Sequence, residues 1–125
     1  CGEIDIMELV GHQPSTVHGT AHWGSSWNVH QYNGGEISLP GGAQFSDAFH
    51  LFSVVWEANS ITWYMDDQPY YSINSSQMNG QHYPFNAPFF FIMNIAVGGN
   101  WPGYPDDSTQ FPQTMVVDYV RVFQQ

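Results

Sequence analysis

With 125 residues, 42% of them hydrophobic and 17% aromatic against 10% charged, the chain has the composition of a packed globular protein and not of a disordered segment. Its formal net charge is −10 and Arg121 is its one strong base, which argues against binding to nucleic-acid phosphates or anionic membrane surfaces, weighs against sulfated polysaccharides, and favours neutral ligands. No run approaches the roughly 18 apolar residues of a membrane-spanning helix, and one cysteine, Cys1, cannot form an internal disulfide.

The first predicted element is a strand over Gly2–Glu8, in which Glu3, Asp5 and Glu8 are interleaved with Ile4, Ile6 and Met7. Side chains alternate across a strand, so Glu3 and Asp5 share one face while Ile4 and Ile6 pack on the other. Glu8 is out of phase. A β-bulge at Met7 would set two residues opposite one and return Glu8 to the carboxylate face. Two carboxyl groups about 5–5.5 Å apart are what glycoside hydrolysis with retention requires. The bland alternative is a solvated edge strand whose acids discourage aggregation. The apolar Ile4 and Ile6 on the opposite face count against it, because three like charges repel and raise one another's pKa values on a face that gains nothing from them.

After a loop at Gly11–Ser15, a second strand is predicted over Thr16–Trp23, with His18, Thr20 and His22 on one face and Val17, Gly19, Ala21 and Trp23 on the other. A polar face beside the carboxylates suggests a cleft. Paired histidines also suit zinc, but the sequence supplies no convincing further ligands for them. A long connection follows, punctuated by Asn33-Gly34-Gly35 and Pro40-Gly41-Gly42, and then strands are predicted over 49–57, 61–66, 89–97 and 115–123. Asp66-Asp67-Gln68-Pro69 reads as a hairpin turn, and the polar segment 72–85 as a surface loop or short helical turn. No helix is periodic, and there is neither a repeat nor an internal linker. Such a pattern predicts an all-β jelly-roll sandwich with a curved, concave sheet, its five tryptophans divided between core and cleft.

The run Gly2-Glu3-Ile4-Asp5-Ile6-Met7-Glu8 resembles the active-site strand of glycoside hydrolase family 16, in the bulged form of laminarinase-like endo-β-1,3-glucanases. Further segments resemble the family in the family order: His18–Trp23, Phe49–Glu57, Asn94–Gly103 and Val117–Phe123. The resemblance implies a concanavalin-like jelly roll of which residues 1–125 are the C-terminal part, with the missing N-terminal half as structural partner. It implies a β-glucan substrate, possession of no catalytic cofactor, and secretion. The expected function is a retaining endo-β-1,3-glucanase acting on laminarin-type and also mixed-linkage β-1,3-1,4 glucans. A non-catalytic glucan-binding, lectin-like module stands beside it, as does a relative acting on another polysaccharide, such as an agarase, a carrageenase or a transglycosylase.

By resemblance Glu3 is the nucleophile and Glu8 the acid/base, with Asp5 as helper between them. The physical demands agree, since the nucleophile must be ionised while the acid holds its proton near neutrality. His22 matches the family histidine near the acid/base. His18 and Thr20 share its face and are expected to bind substrate, with half-exposed polar residues as the plainer reading. Asn94 interrupts an apolar strand and matches a cleft asparagine, although a structural amide explains it nearly as well. Trp101 stands in a Gly-rich loop, either as a sugar platform or packed on Pro102. Asp118, among Val116, Val120 and Val122, needs neutralising. The resemblance makes it a ligand of a structural calcium, and a salt bridge to Arg121 or plain exposure competes.

Overall fold

The computed structural model describes residues 2–124, so Cys1 and its pairing lie outside the described residues. The protein is all-β and a jelly-roll sandwich in class, its strands forming two three-stranded antiparallel sheets. Two compact units divide the chain, Cys1–Phe90 and Phe91–Gln125.

All six strands belong to the first unit: β1 (Gly2–Glu8), β2 (Thr16–Trp23), β3 (Gln31–Ser38), β4 (Phe52–Glu57), β5 (Ser60–Met65) and β6 (Gln68–Asn74). One sheet runs β1-β2-β3 and the other β4-β5-β6. Strands β1 and β2 occupy the predicted residues. Strands β4 and β5 are close to prediction, beginning three residues later and one residue earlier respectively.

Strands β3 and β6 are departures from the sequence reading. The Gly34-Gly35 pair reads as a break, yet it sits inside β3, paired with Thr20 and Gly19 of β2. The reason is packing. The Tyr71 ring of β6 lies against Gly35, where a Cβ would approach it to 2.5 Å, and the Tyr71 hydroxyl donates to Asn33 Oδ1 at 2.6 Å. Glycine weakens a strand in isolation, but it also marks where another element must come close. The Asp66-Asp67 turn is a two-residue hairpin loop, with φ of 48° and 64°. Positive φ at both positions is the type I′ requirement, and the chain therefore re-enters the sheet at once as β6. Segment 72–85 then holds short 3₁₀ turns at Ser75–Gln77 and Pro84–Asn86, the first closed by a capping box between Asn74 and Gln77.

The core lies between the sheets. Every second residue of β2 is buried, from Val17 to Trp23, and Ala21 and Trp23 pack with Ile61, Trp63 and Ile73 of the facing sheet, closed over by Met78, Tyr83 and Phe85. Gly19 completes that inner face. The indole of Trp63 and the hydroxyl of Tyr70 press so closely on Gly19 that any side chain there would collide with them.

In the second unit the backbone forms an isolated bridge between Gly99 and Gly103, with Gly99 N–H donating to the Gly103 carbonyl at 2.9 Å. The strands expected at 89–97 and 115–123 are not formed. Their alternation is present in the sequence, but a strand exists by hydrogen bonding to a neighbour, and no described residue supplies that ladder.

Candidate active site

The carboxylate strand β1 pairs with β2 in a register that places Glu3 opposite His22, Asp5 opposite Thr20 and Glu8 opposite His18. Two residues separate Asp5 from Glu8, and one separates Thr20 from His18. Ile6 and Met7 therefore face Gly19 together, which is the β-bulge the phase problem demanded. Met7 turns inward against Val17, Phe45 and Met65, and Ile4 packs on the main core. The core also holds the bulge from behind: Trp63 Nε1 donates to the Asp5 carbonyl at 2.9 Å.

On the outer face the three acids meet the polar side of β2. Thr20 Oγ1 donates to Glu8 Oε2 at 3.1 Å. His22 Nε2 lies 3.1 Å from Asp5 Oδ2. His18 Nδ1 lies 3.4 Å from Glu36 Oε2 on β3. Burial, followed by the charge of Asp5, pushes Glu3 above its ordinary carboxylate range, with His22 opposing. Burial and Asp5 push Glu8 up in the same way, against the bond from Thr20 and the neighbouring histidines. The contact with Asp5 raises His22, against a smaller effect of burial. Burial and the charge of Asp5 thus shift Glu3 and Glu8 toward their neutral forms, and the contact with Asp5 shifts His22 toward its charged form. Groups so perturbed and so close together are suited to acid–base chemistry.

The structure also supplies what the sequence did not, a convergent ligand set: Asp5, Glu8 and His22 each present a donor atom, all within 4.8 Å of one another. A cation there would occupy the oxygens that hydrolysis needs. Exposed Asp118 has no comparable set of His, Cys, Asp or Glu around it among the described residues, and the Arg121 guanidinium stacks over Tyr119 at 4.2 Å instead of pairing with it. Asn94, Trp101 and Asp118 lie in the second unit and are described with it. Trp101 is half-exposed in the loop closed by the Gly99–Gly103 bridge.

Residues that the sequence reading passed over border the carboxylates. His30 Nε2 lies 3.0 Å from His22 Nδ1, Tyr32 is tilted against His22 with centroids 5.7 Å apart, and Trp27 stacks on His30. The one local signal was a cluster of aromatic and histidine residues within 27–32, inside what read as a connection.

A sequence model of the family described as Glycosyl hydrolases family 16 matches residues 1–121. The chain is 43% identical over 131 residues to glucan endo-1,3-beta-glucosidase A1 of Niallia circulans, an alignment covering 99% of this chain and 19% of that protein. Among solved structures it superposes on the laminarinase catalytic domain of Thermotoga maritima MSB8 with a TM-score of 0.78 and 45% identity, covering 89% of this chain and 45% of that one. The endo-beta-1,3-glucanase of Pyrococcus furiosus gives a TM-score of 0.79 at 43% identity, covering 90% and 43%. The chain thus spans less than half the length of each of these relatives. The family match across nearly all its residues, together with a bulged strand that gathers Glu3, Asp5 and Glu8 on one face, makes the chain a member of glycosyl hydrolases family 16.

Proposed function

We propose that the chain is the C-terminal half of a retaining endo-β-1,3-glucanase domain that cuts laminarin-type glucan and accepts mixed-linkage β-1,3-1,4 glucan. The observation that carries this reading is the bulge between Asp5 and Glu8, which brings three carboxylates and His22 to one face. Relatives named endo-1,3-beta-glucosidase and laminarinase support the choice of substrate. Glu3 attacks the anomeric carbon while Glu8 gives its proton to the departing glycosidic oxygen, and a covalent glycosyl-enzyme forms. Glu8, now ionised, takes a proton from water, which attacks the same carbon and releases Glu3. Asp5 and His22 hold Glu3 in its rotamer and adjust its charge, and Thr20 orients Glu8.

The same reading assigns substrate contacts to His18, Asn94 and Trp101 and a secreted location for polymeric glucan. A structural calcium at Asp118 would draw its remaining oxygen donors from the other half of the domain. The test uses a domain completed to family length. Glu3→Gln removes the nucleophile with almost no change in volume, so laminarin hydrolysis should be abolished while binding of laminari-oligosaccharides persists. In Glu3→Ala, azide should substitute for the missing carboxylate and yield a glycosyl azide of inverted configuration. Full activity in either variant rejects Glu3 as nucleophile; a parent domain that binds glucan and never cuts it indicates a lectin-like module.

A further inference from the structure

Glu3 and Glu8 are held in place by different means. Glu3 sits in an unbroken run of β1, where Glu3, Ile4 and Asp5 pair in turn with His22, Ala21 and Thr20 of β2. Glu8 lies beyond the bulge, where pairing resumes opposite His18. A bulge leaves its extra residue unpaired and disrupts the ladder locally, so the place of Glu8 relative to Glu3 depends on what fixes the backbone of the bulge. On the cleft side the Thr20 hydroxyl holds the Glu8 carboxylate at 3.1 Å. On the core side the contact is an indole.

Trp63 of β5 is completely buried, and its Nε1–H donates at 2.9 Å to the carbonyl of Asp5, the residue at which the regular pairing stops. A buried carbonyl needs a donor, and here one comes from the facing sheet. The indole reaches it because Gly19, which Ile6 and Met7 face together, has no side chain: a Cβ there would come within 2.8 Å of Trp63 Nε1. The ring is braced in turn by Tyr71 of β6, tilted against it with centroids 5.8 Å apart. The Tyr71 hydroxyl donates to Asn33 Oδ1 at 2.6 Å, and its ring lies on Gly35. A strut of two aromatic rings thus runs from the glycine pair of β3, through the opposite sheet, to the start of the bulge.

We propose that the Trp63 N–H is a positioning group for proton donation by Glu8: it fixes the backbone where the bulge begins, and thereby the reach of Glu8 to the departing glycosidic oxygen. The proposal rests on the glycoside hydrolase reading and adds a core residue to it. Without the N–H the Asp5 carbonyl loses its partner from the facing sheet, and the bulge is free to relax. Glu3 stays in its ladder. The loss should therefore fall on the step that needs the Glu8 proton, and spare both substrate binding and attack by Glu3.

The experiment uses the domain completed to family length. Trp63 is replaced by 3-benzothienylalanine, which keeps two fused rings and puts sulfur where the N–H stood, and separately by Phe. The value of kcat/KM is measured on laminarin and on a dinitrophenyl laminaribioside, whose leaving group departs without a proton. On laminarin the benzothienyl variant should fall by about tenfold to a hundredfold, the loss expected for a displaced general acid, and Trp63→Phe at least as far. On the dinitrophenyl glycoside the benzothienyl variant should match the parent, and in a Glu3→Gln background its affinity for laminari-oligosaccharides should be unchanged. An equal fall on both substrates means that Trp63 acts through packing alone and overturns the proposal. A benzothienyl chain that does not fold overturns it as well, because the N–H is then needed for the fold itself. If the parent domain cuts both substrates and the benzothienyl variant is indistinguishable from it, the positioning role alone falls. A parent domain that cuts neither removes the glucanase reading and the positioning role with it.

Discussion

In unit Cys1–Phe90, Val17, Ile61, Trp63 and Ile73 are completely buried between two paired sheets, whereas in Phe91–Gln125 residues of the same kind, Ile92, Val97, Val122 and Phe123, are between 64% and 86% exposed. Both stretches alternate apolar and polar residues. What separates them is the ladder. Each strand of the first unit has a hydrogen-bonded neighbour of matching register within the same 90 residues, and its apolar face meets a second sheet. Segments 89–97 and 115–123 have neither. Alternation states which face would be buried, and pairing decides whether it is.

The largest expected effect comes from asking the second unit to live without strand partners. Expressed as these 125 residues alone, the chain should be insoluble or melt without cooperativity, because exposed apolar segments and open strand edges invite association. Co-expression with the remaining half of a family domain should restore solubility and laminarin hydrolysis. A soluble, cooperatively melting, active chain of this length would show that the second unit needs no partner, and the contrast between the units would disappear.

Within the first unit the contrast narrows to one residue. Deleting Met7 removes the bulge: the period of two still leaves Glu8 on the carboxylate face opposite His18, but without the extra residue and the local bend that set its position relative to Glu3. Misplacing a reacting group by an ångström costs about a hundredfold in rate, and kcat/KM of the completed domain should fall by at least that much or shift sharply in linkage preference. Unchanged kinetics would mean that the bulge does not position Glu8.

A smaller effect separates stability from catalysis at the same place. Burial and Asp5 raise Glu8 in the folded state above its unfolded value. The folded protein thus binds the Glu8 proton more tightly than the unfolded chain does, and stability declines as pH rises through the raised value. Glu8→Gln removes that decline. Its melting temperature should exceed the parent's by a few degrees near pH 7, with the gain vanishing below the ordinary carboxylate range, while hydrolysis is lost. His22 has the same sign, since its raised value adds stability in acid that is lost as pH climbs past it. A Glu8→Gln domain that is less stable than the parent at neutral pH would show that the Thr20 bond outweighs burial.

The amino-acid sequence by itself determined β1 and β2, the shared face of Glu3 and Asp5, and the need for a bulge before Glu8. These follow from a side-chain period of two, which is local and survives without knowledge of neighbours. It also separated His18, Thr20 and His22 from the buried face of β2 for the same reason. Tertiary structure alone decided that the glycine pair within β3 is a strand, because only the Tyr71 ring of the facing sheet against Gly35, and the close approach of β2 at Gly19 and Thr20 to Gly34, turn missing side chains into a fit. It decided that the Asp5 carbonyl takes its hydrogen bond from Trp63, 58 positions away, and that His30 and Trp27 line up on His22. Contacts of that kind depend on register, loop closure and ring packing acting together, and none of these is written in the spacing of a single segment.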